Sequence, residues 1–356
     1  MDMKRDYYED IELFKSGTIL FWSIVLLVAL FVAPVFLSNY HLYLFNLIMV
    51  HVIVAVGLNI LVGSTGQIAL GHAGFFAIGA YGTVLLMTKL AIPFFPALII
   101  TAFIASFFGF ILGLPALRLE GPYLAIATLA FGLAIMHVIG HMELFGGRQG
   151  LMAPTLDIGI PQLGLSWELW TEKSKYYLIL IIAILMVLFA VNILKTRVGR
   201  AFVAIRDSDI AAEVIGVNLT IYKTLAFAVS AFYAGVAGGL FAFVLGFFDP
   251  FTFNLIISII FLVMVVVGGL GSVMGSITGA ALITYLWYDV FKNVDEVPVV
   301  GDILLAFSRK FLTASGIDNF NFVALGLVMI GIIIFEPLGI FGAWIRVKKY
   351  WKTWPF

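Results

Sequence analysis

Apolar runs near the length of a membrane span recur along the whole chain, and no other feature narrows its fold so far. A helix needs about 20 consecutive apolar residues to cross a bilayer, and only helices and closed barrels satisfy their own backbone in lipid. Ten stretches approach that length: 18–37, 41–62, 74–87, 94–114, 121–141, 176–194, 224–248, 255–267, 274–291 and 322–340. Apolar residues make up 63% of the chain and charged ones 11%, against nearer half and a quarter in soluble domains. The expectation is an all-α, polytopic membrane protein with about ten transmembrane helices. It reads as one membrane domain over 1–356, with a polar head at 1–17 and a basic, aromatic tail at 344–356. The first run follows an acidic head and is long enough to span, so it reads as an anchor, not a cleaved signal.

Two runs are interrupted. Residues 63–74 and 268–275 are too rich in glycine and polar side chains for a lipid-facing helix. Irregular backbone at membrane depth survives only where protein or a water-filled cavity satisfies it. Paired interruptions in two halves of a transporter point to a pathway. Ser64, Thr65, Gly66, Gln67, His72, Gly268, Gly269, Gly271 and Ser272 are therefore the candidate pathway residues, with free N–H groups at the half-helix starts facing a carboxylate. Within that set, His72 in its Gly-His-Ala-Gly setting reads first as a hydrogen-bonded packing residue at a close helix contact.

One stretch has no place in lipid. Residues 195–223 carry five Lys/Arg (Lys195, Arg197, Arg200, Arg206, Lys223) with Asp207, Asp209 and Glu213 among them. Val203, Ile205, Ile210, Ala211, Val214 and Ile215 recur at helical spacings. Two short helices are expected, broken near Ser208 and ended by Gly216 to Asn218. Such an elbow outside the membrane reads as a docking surface first. The tail adds four Lys/Arg: Arg346, Lys348, Lys349 and Lys352. By the positive-inside rule, island and tail face the cytoplasm, and ten spans put Arg118 and the N-terminus on that same side. The loops 142–175 and 292–321 face outward, each with three Lys/Arg against four Asp/Glu. In the second loop, Ile303, Phe307 and Phe311 mark a short amphipathic surface helix or lid.

Chemistry is harder to find. Net charge is zero, which gives no reason to expect nucleic acid as a partner, and the absence of cysteine excludes disulfides and thiolate sites. His137 and His141 stand one turn apart near Glu143, without a third metal ligand in register. His51 lies mid-span, as a functional group or as a partner for neighbouring backbone. Carboxylates are nearly absent from span centres, which argues against an ion-coupled carrier. No Walker sequence occurs, and the spacing of Gly269, Gly271 and Gly275 misses a dinucleotide fingerprint. The ladders Gly271/Gly275/Gly279, Gly235/Gly239 and Gly109/Gly113 read as close helix packing.

Four stretches carry a family resemblance: 57–81, 121–129, 200–218 and 264–272. In that order they resemble LivM-type permeases, the membrane subunits of ABC importers for branched-chain amino acids. The resemblance implies inward passage of branched-chain or other hydrophobic amino acids, with no catalysis in this chain. It implies no cofactor here, ATP and Mg being bound by two cytoplasmic ATP-binding subunits. The further partners implied are a second homologous, LivH-like permease, a periplasmic substrate-binding protein and membrane lipid, in a bacterial inner membrane. The island is similar to a coupling loop, placing Arg206, Asp207, Ser208, Ala211, Ala212, Glu213, Gly216 and Asn218 against the ATPase. Its order is Ala-Ala-Glu where the family pattern has Glu-Ala-Ala. Alternatives are a related permease for urea or short amides and, in another class, a stand-alone channel or ion-coupled carrier.

Overall fold

The structure is a computed structural model that describes residues 17–119, 121–156, 171–290, 320–336 and 338–353. Its helices are α1 Gly17–Phe36, α2 Asn39–Thr65, α3 His72–Leu90, α4 Phe94–Ala116, α5 Pro122–His141, α6 Glu172–Lys195, α7 Arg197–Asp207 and α8 Asp209–Val214. They continue with α9 Leu219–Leu245, α10 Leu255–Gly268, α11 Val273–Tyr285, α12 Phe320–Phe335 and α13 Gly339–Thr353. Apart from α7, α8 and α13, each follows an apolar run of the sequence. Six of them, α2 to α6 and α9, are long and apolar enough to cross a membrane. The amphipathic stretch around Ile303 to Phe311 lies outside the described residues.

Length sets α10 apart. At about 1.5 Å per residue, the 14 residues of α10 reach roughly 21 Å, short of a hydrocarbon core of about 30 Å. The chain turns back through Gly269–Ser272 into α11, which runs on through a π-helical turn, Leu286–Val290. The interrupted eighth run is therefore one arm of a helical hairpin. The last run also differs from the expected 322–340. Its helix stops at Phe335, and α13 begins at Gly339 with φ 71°, so the basic tail is a separate helix.

The 27-residue helices α2 and α9 form the centre, with 89% and 83% of their most apolar windows buried. Helices α4, α5 and α6 are peripheral, with shares of 39%, 22% and 28%. Close contact at the centre depends on small residues, because lipid gives apolar side chains no reason to leave it. A Cβ on Gly79 of α3 would lie 2.1 Å from the Gly235 carbonyl oxygen of α9. In the hairpin, a Cβ on Gly279 would lie 2.1 Å from the Met264 oxygen. The ladders are packing surfaces, with one correction: Gly271 sits in the turn before α11, at φ 80°, where a ladder position would need helix.

At the end opposite the island, Leu151–Met152 pairs antiparallel with Phe247–Phe248. Asp249 caps the 3-10 turn Pro250–Phe253 through Thr252. Tyr81 meets the Phe248 ring edge-on at 4.9 Å and Phe253 at 5.7 Å. Phe76, Phe241 and Phe261 continue this aromatic packing into the bundle.

Candidate functional site

The island folds as two short helices. Thr196 caps α7, its hydroxyl accepting from the Val198 amide. Ser208 is extended at φ −169°, and its hydroxyl accepts from the Ala211 N–H at 3.3 Å to start α8. Serine does this well because the first turn of any helix leaves its N–H groups without partners. Gly216 takes φ 88° after α8, a conformation that side chains with a Cβ disfavour. Asn218 then caps α9 through the Ile221 N–H. Ser208, Gly216 and Asn218 thus shape the elbow.

The remaining island residues divide between two faces. Ala212 is buried and Ala211 and Glu213 are exposed. Ile210, Val214 and Ile215 are 78%, 81% and 73% exposed. Three large apolar side chains on so short an elbow form its prominent outward feature. In the sequence they register only as helical periodicity; what marks them is that the island's Phe202 and Ile205 are buried while these three are not. Lys223, at the start of α9 and 8% exposed, forms an ion pair with Asp209. That pair ties α8 to the bundle.

Arg206 remains partly exposed but reaches back to the bundle. Its guanidinium donates to the Gly63 carbonyl oxygen at 3.1 Å and to Asp207 at 3.2 and 3.3 Å. The α2 end explains why an oxygen waits there. Gly66, at φ 73°, closes α2 by donating to Leu61 and Val62, and the Gln67 N–H also returns to Leu61. The last carbonyls of a helix lack intrahelical partners and carry the negative end of its dipole, so a cation is favoured there. Beside it the Asn59 side chain accepts from the Gly271 N–H at 2.8 Å. A Cβ on Gly63 would fall 2.3 Å from that same nitrogen.

The two interrupted segments therefore meet at the island. The irregular backbone is narrower than the glycine-rich stretches of the sequence: Gly66–Gly71 and Gly269–Ser272, with Ser64 and Thr65 still helical. Gly268 and Gly269 are buried, and a Cβ on Gly269 would stand 2.8 Å from the Leu338 oxygen just before α13. His72 departs from the group. It lies deeper, its Nε2 2.7 Å from the Ser230 hydroxyl of α9, as a packing residue does.

Some of the amides at the half-helix starts bond within the protein. At the start of α3, Leu70 N–H donates to the Thr128 hydroxyl and Ala73 N–H to the Ser258 hydroxyl, both at 2.9 Å. Ser272 caps α11 by accepting from Gly275 N–H at 3.1 Å. These three amides are therefore occupied by side-chain oxygens of the protein itself. A cavity of about 380 Å³ opens at the island end, lined by Thr65, Gly66, Gln67, Leu124, Arg206 and Asp209 among others.

The other histidines have structural partners. His51 is buried, with Nδ1 2.9 Å from the Thr284 hydroxyl and its ring 5.7 Å from Phe261 and 5.9 Å from Tyr288. His141 Nδ1 lies 2.9 Å from the His137 carbonyl oxygen. Among the described residues no group of three His, Cys, Asp or Glu side chains is placed to hold a metal.

Comparison with known proteins bears on this arrangement as a whole. The family described as branched-chain amino acid transport system / permease component matches residues 40–335. The high-affinity branched-chain amino acid transport system permease protein LivM of Escherichia coli K12 is 32% identical over 336 residues, covering 89% of this chain and 73% of that protein. Its counterpart in Salmonella typhimurium LT2 is 31% identical over 326 residues, 86% of this chain and 71% of that protein. A probable branched-chain amino acid transport permease protein LivH of Methanocaldococcus jannaschii is 24% identical, covering 85% of this chain and 92% of its own. No solved structure matches. With a match that takes in every helix from α2 to α12 apart from the first residue of α2, the chain belongs to the family of permease components of branched-chain amino acid transport systems.

Proposed function

We propose that this chain is the membrane-spanning subunit of an ATP-driven importer that passes branched-chain and other hydrophobic amino acids into a bacterial cell. The observation that carries the reading is the elbow α7–α8, which presents Ile210, Val214 and Ile215 outward while Arg206 and Lys223 tie it back to the bundle. Two cytoplasmic ATP-binding subunits supply the energy, one of them seated on this elbow, and the chain itself holds no ATP site. A second, LivH-like permease completes the path, and a periplasmic binding protein delivers the cargo. The island, α13 and the N-terminus then face the cytoplasm of the inner membrane. The direction of the helices supports that common side: Tyr176 and Tyr177, near the start of α6, bond to Leu30 and Phe31 late in α1, so the two helices run antiparallel.

The family tie supports the cargo class, and the elbow supports the division of labour. The test is recovery of the chain from mild detergent with identification of what remains bound. Two ATPase chains and one similar permease are expected. Recovery of the chain alone, still moving solute in vesicles, would replace the importer with a channel or carrier.

A further inference from the structure

Arg206 stands where the elbow, the α2 terminus and the hairpin turn converge. Its aliphatic stem lies against Gly66: a Cβ there would be 3.5 Å from Arg206 Cγ. Its NH1 bonds to Gly63 O at 3.1 Å, and a Cβ on Gly271 would stand 3.0 Å from that same nitrogen. The hairpin turn thus passes close to the guanidinium. Asn59 completes the set by holding Gly271 N–H from α2. Asp207, itself exposed, accepts from the other edge of the fork at 3.2 and 3.3 Å.

From this geometry we infer that Arg206 is the positioning residue that couples movement of the elbow to the junction of α2 with the α10–α11 turn. The inference rests on the proposed importer function and goes beyond it, because docking alone does not say how a push on α8 reaches the bundle. Helix α7 is a rigid lever of 11 residues ending at Asp207. A partner that moves the exposed end of α8 rotates Ser208, the extended link between the two helices. Arg206 lies two residues before that link, and its planar fork bonds in a fixed direction. Displacement therefore loads the Gly63 carbonyl and, through Gly63 and Asn59, the Gly271 turn. The adjoining segments line the cavity at the island end through Thr65, Gly66 and Gln67, so the same displacement changes its mouth.

The test uses the complete importer in vesicles and reads solute moved per ATP hydrolysed. Arg206→Ala is expected to lower that ratio, taken per assembled complex, about tenfold, the scale of one charge-assisted hydrogen bond. Arg206→Gln retains an amide donor for Gly63 O without the charge or the fork, and is expected to recover part of the ratio. A purely structural role would lower hydrolysis and transport together; an unchanged ratio or a parallel loss overturns the inference. A second readout needs no ATPase. The chain has no cysteine, and Ser64 is 3% exposed beside Gly63. Ser64→Cys is expected to react with a membrane-permeant maleimide several-fold faster when Arg206 is Ala, and an equal rate counts against the coupling role. Absence of any ATPase on the wild-type chain would sink the importer reading instead, leaving the labelling rate to judge Arg206.

Discussion

Glycines at two places in this chain meet different physical demands. At Gly238 the demand is space. A Cβ there would lie 1.9 Å from the Phe76 carbonyl oxygen, and backbone has no rotamer with which to withdraw. Gly238→Ala is expected to cost about 1–3 kcal/mol, the range for overpacking a close contact, visible as a lowered unfolding midpoint in detergent. Gly140→Ala is the matched control, because its Cβ would meet only Pro250 side-chain atoms at 3.7 Å. An equal loss in both variants would disprove the close-packing account. At Gly271 the demand is conformational, since φ 80° disfavours a side chain, while the flexible Arg206 tip at 3.0 Å could give way. Sequence alone does not separate the two cases, because a small-xxx-small spacing is the same whether the residue packs or turns. The packing role of His72 is legible from its glycine-flanked setting, and the Ser230 contact agrees with it. Asn59 is silent in the sequence for a clear reason: an amide inside an apolar run declares no partner 212 positions away.

At the scale of the element, the elbow shows how far local chemistry reaches. Ser208, Gly216 and Asn218 are cap and turn residues, and they end and begin helices where capping rules place them. Ser208→Ala removes the α8 cap and is expected to cost about 1 kcal/mol, read as faster proteolysis within the island with the bundle intact. Cleavage at the wild-type rate would show that the cap matters little. What capping rules do not disclose is which face turns outward, since that depends on where α2 and α9 stand. The family pattern groups Ala212 with the docking residues, yet it is 1% exposed. The docking surface is better sought at Ile210, Val214 and Ile215. Replacing all three with Ser should reduce capture of the ATP-binding subunits at least about tenfold, since burying such side chains is worth about 1.5–3 kcal/mol each. Glu213→Lys, on the same exposed side, should abolish coupling without loss of membrane insertion. Undiminished capture by the triple variant would move the interface elsewhere on the molecule.

At the scale of the whole molecule, apolar run length places most helices, because burial in lipid demands the same residues whatever the neighbours are. It fails where a helix falls short of a full crossing. The 14 residues of α10 and the break between Phe335 and Gly339 depend on packing partners: α10 packs on α11 through Gly268 and Gly279, and Gly339 lies against Gly268–Gly269. Sidedness is a further property of the whole, and it divides the molecule between the island end and the end bearing Phe247–Phe248. Met152 is 79% exposed at the latter, and Ser208 is exposed on the elbow. Because no native cysteine competes, single Cys variants at these two positions report opposite faces. An impermeant maleimide added to intact cells is expected to label Met152→Cys and spare Ser208→Cys, with the pattern reversed in inside-out vesicles. The reason is electrostatic as well as topological: Lys195, Arg197 and Arg200 cluster where α6 enters the island, and short basic segments are retained on the cytoplasmic side. Labelling of Ser208→Cys from outside would put the elbow beyond reach of any cytoplasmic ATPase, and the docking surface proposed at Ile210, Val214 and Ile215 would then need an extracellular partner.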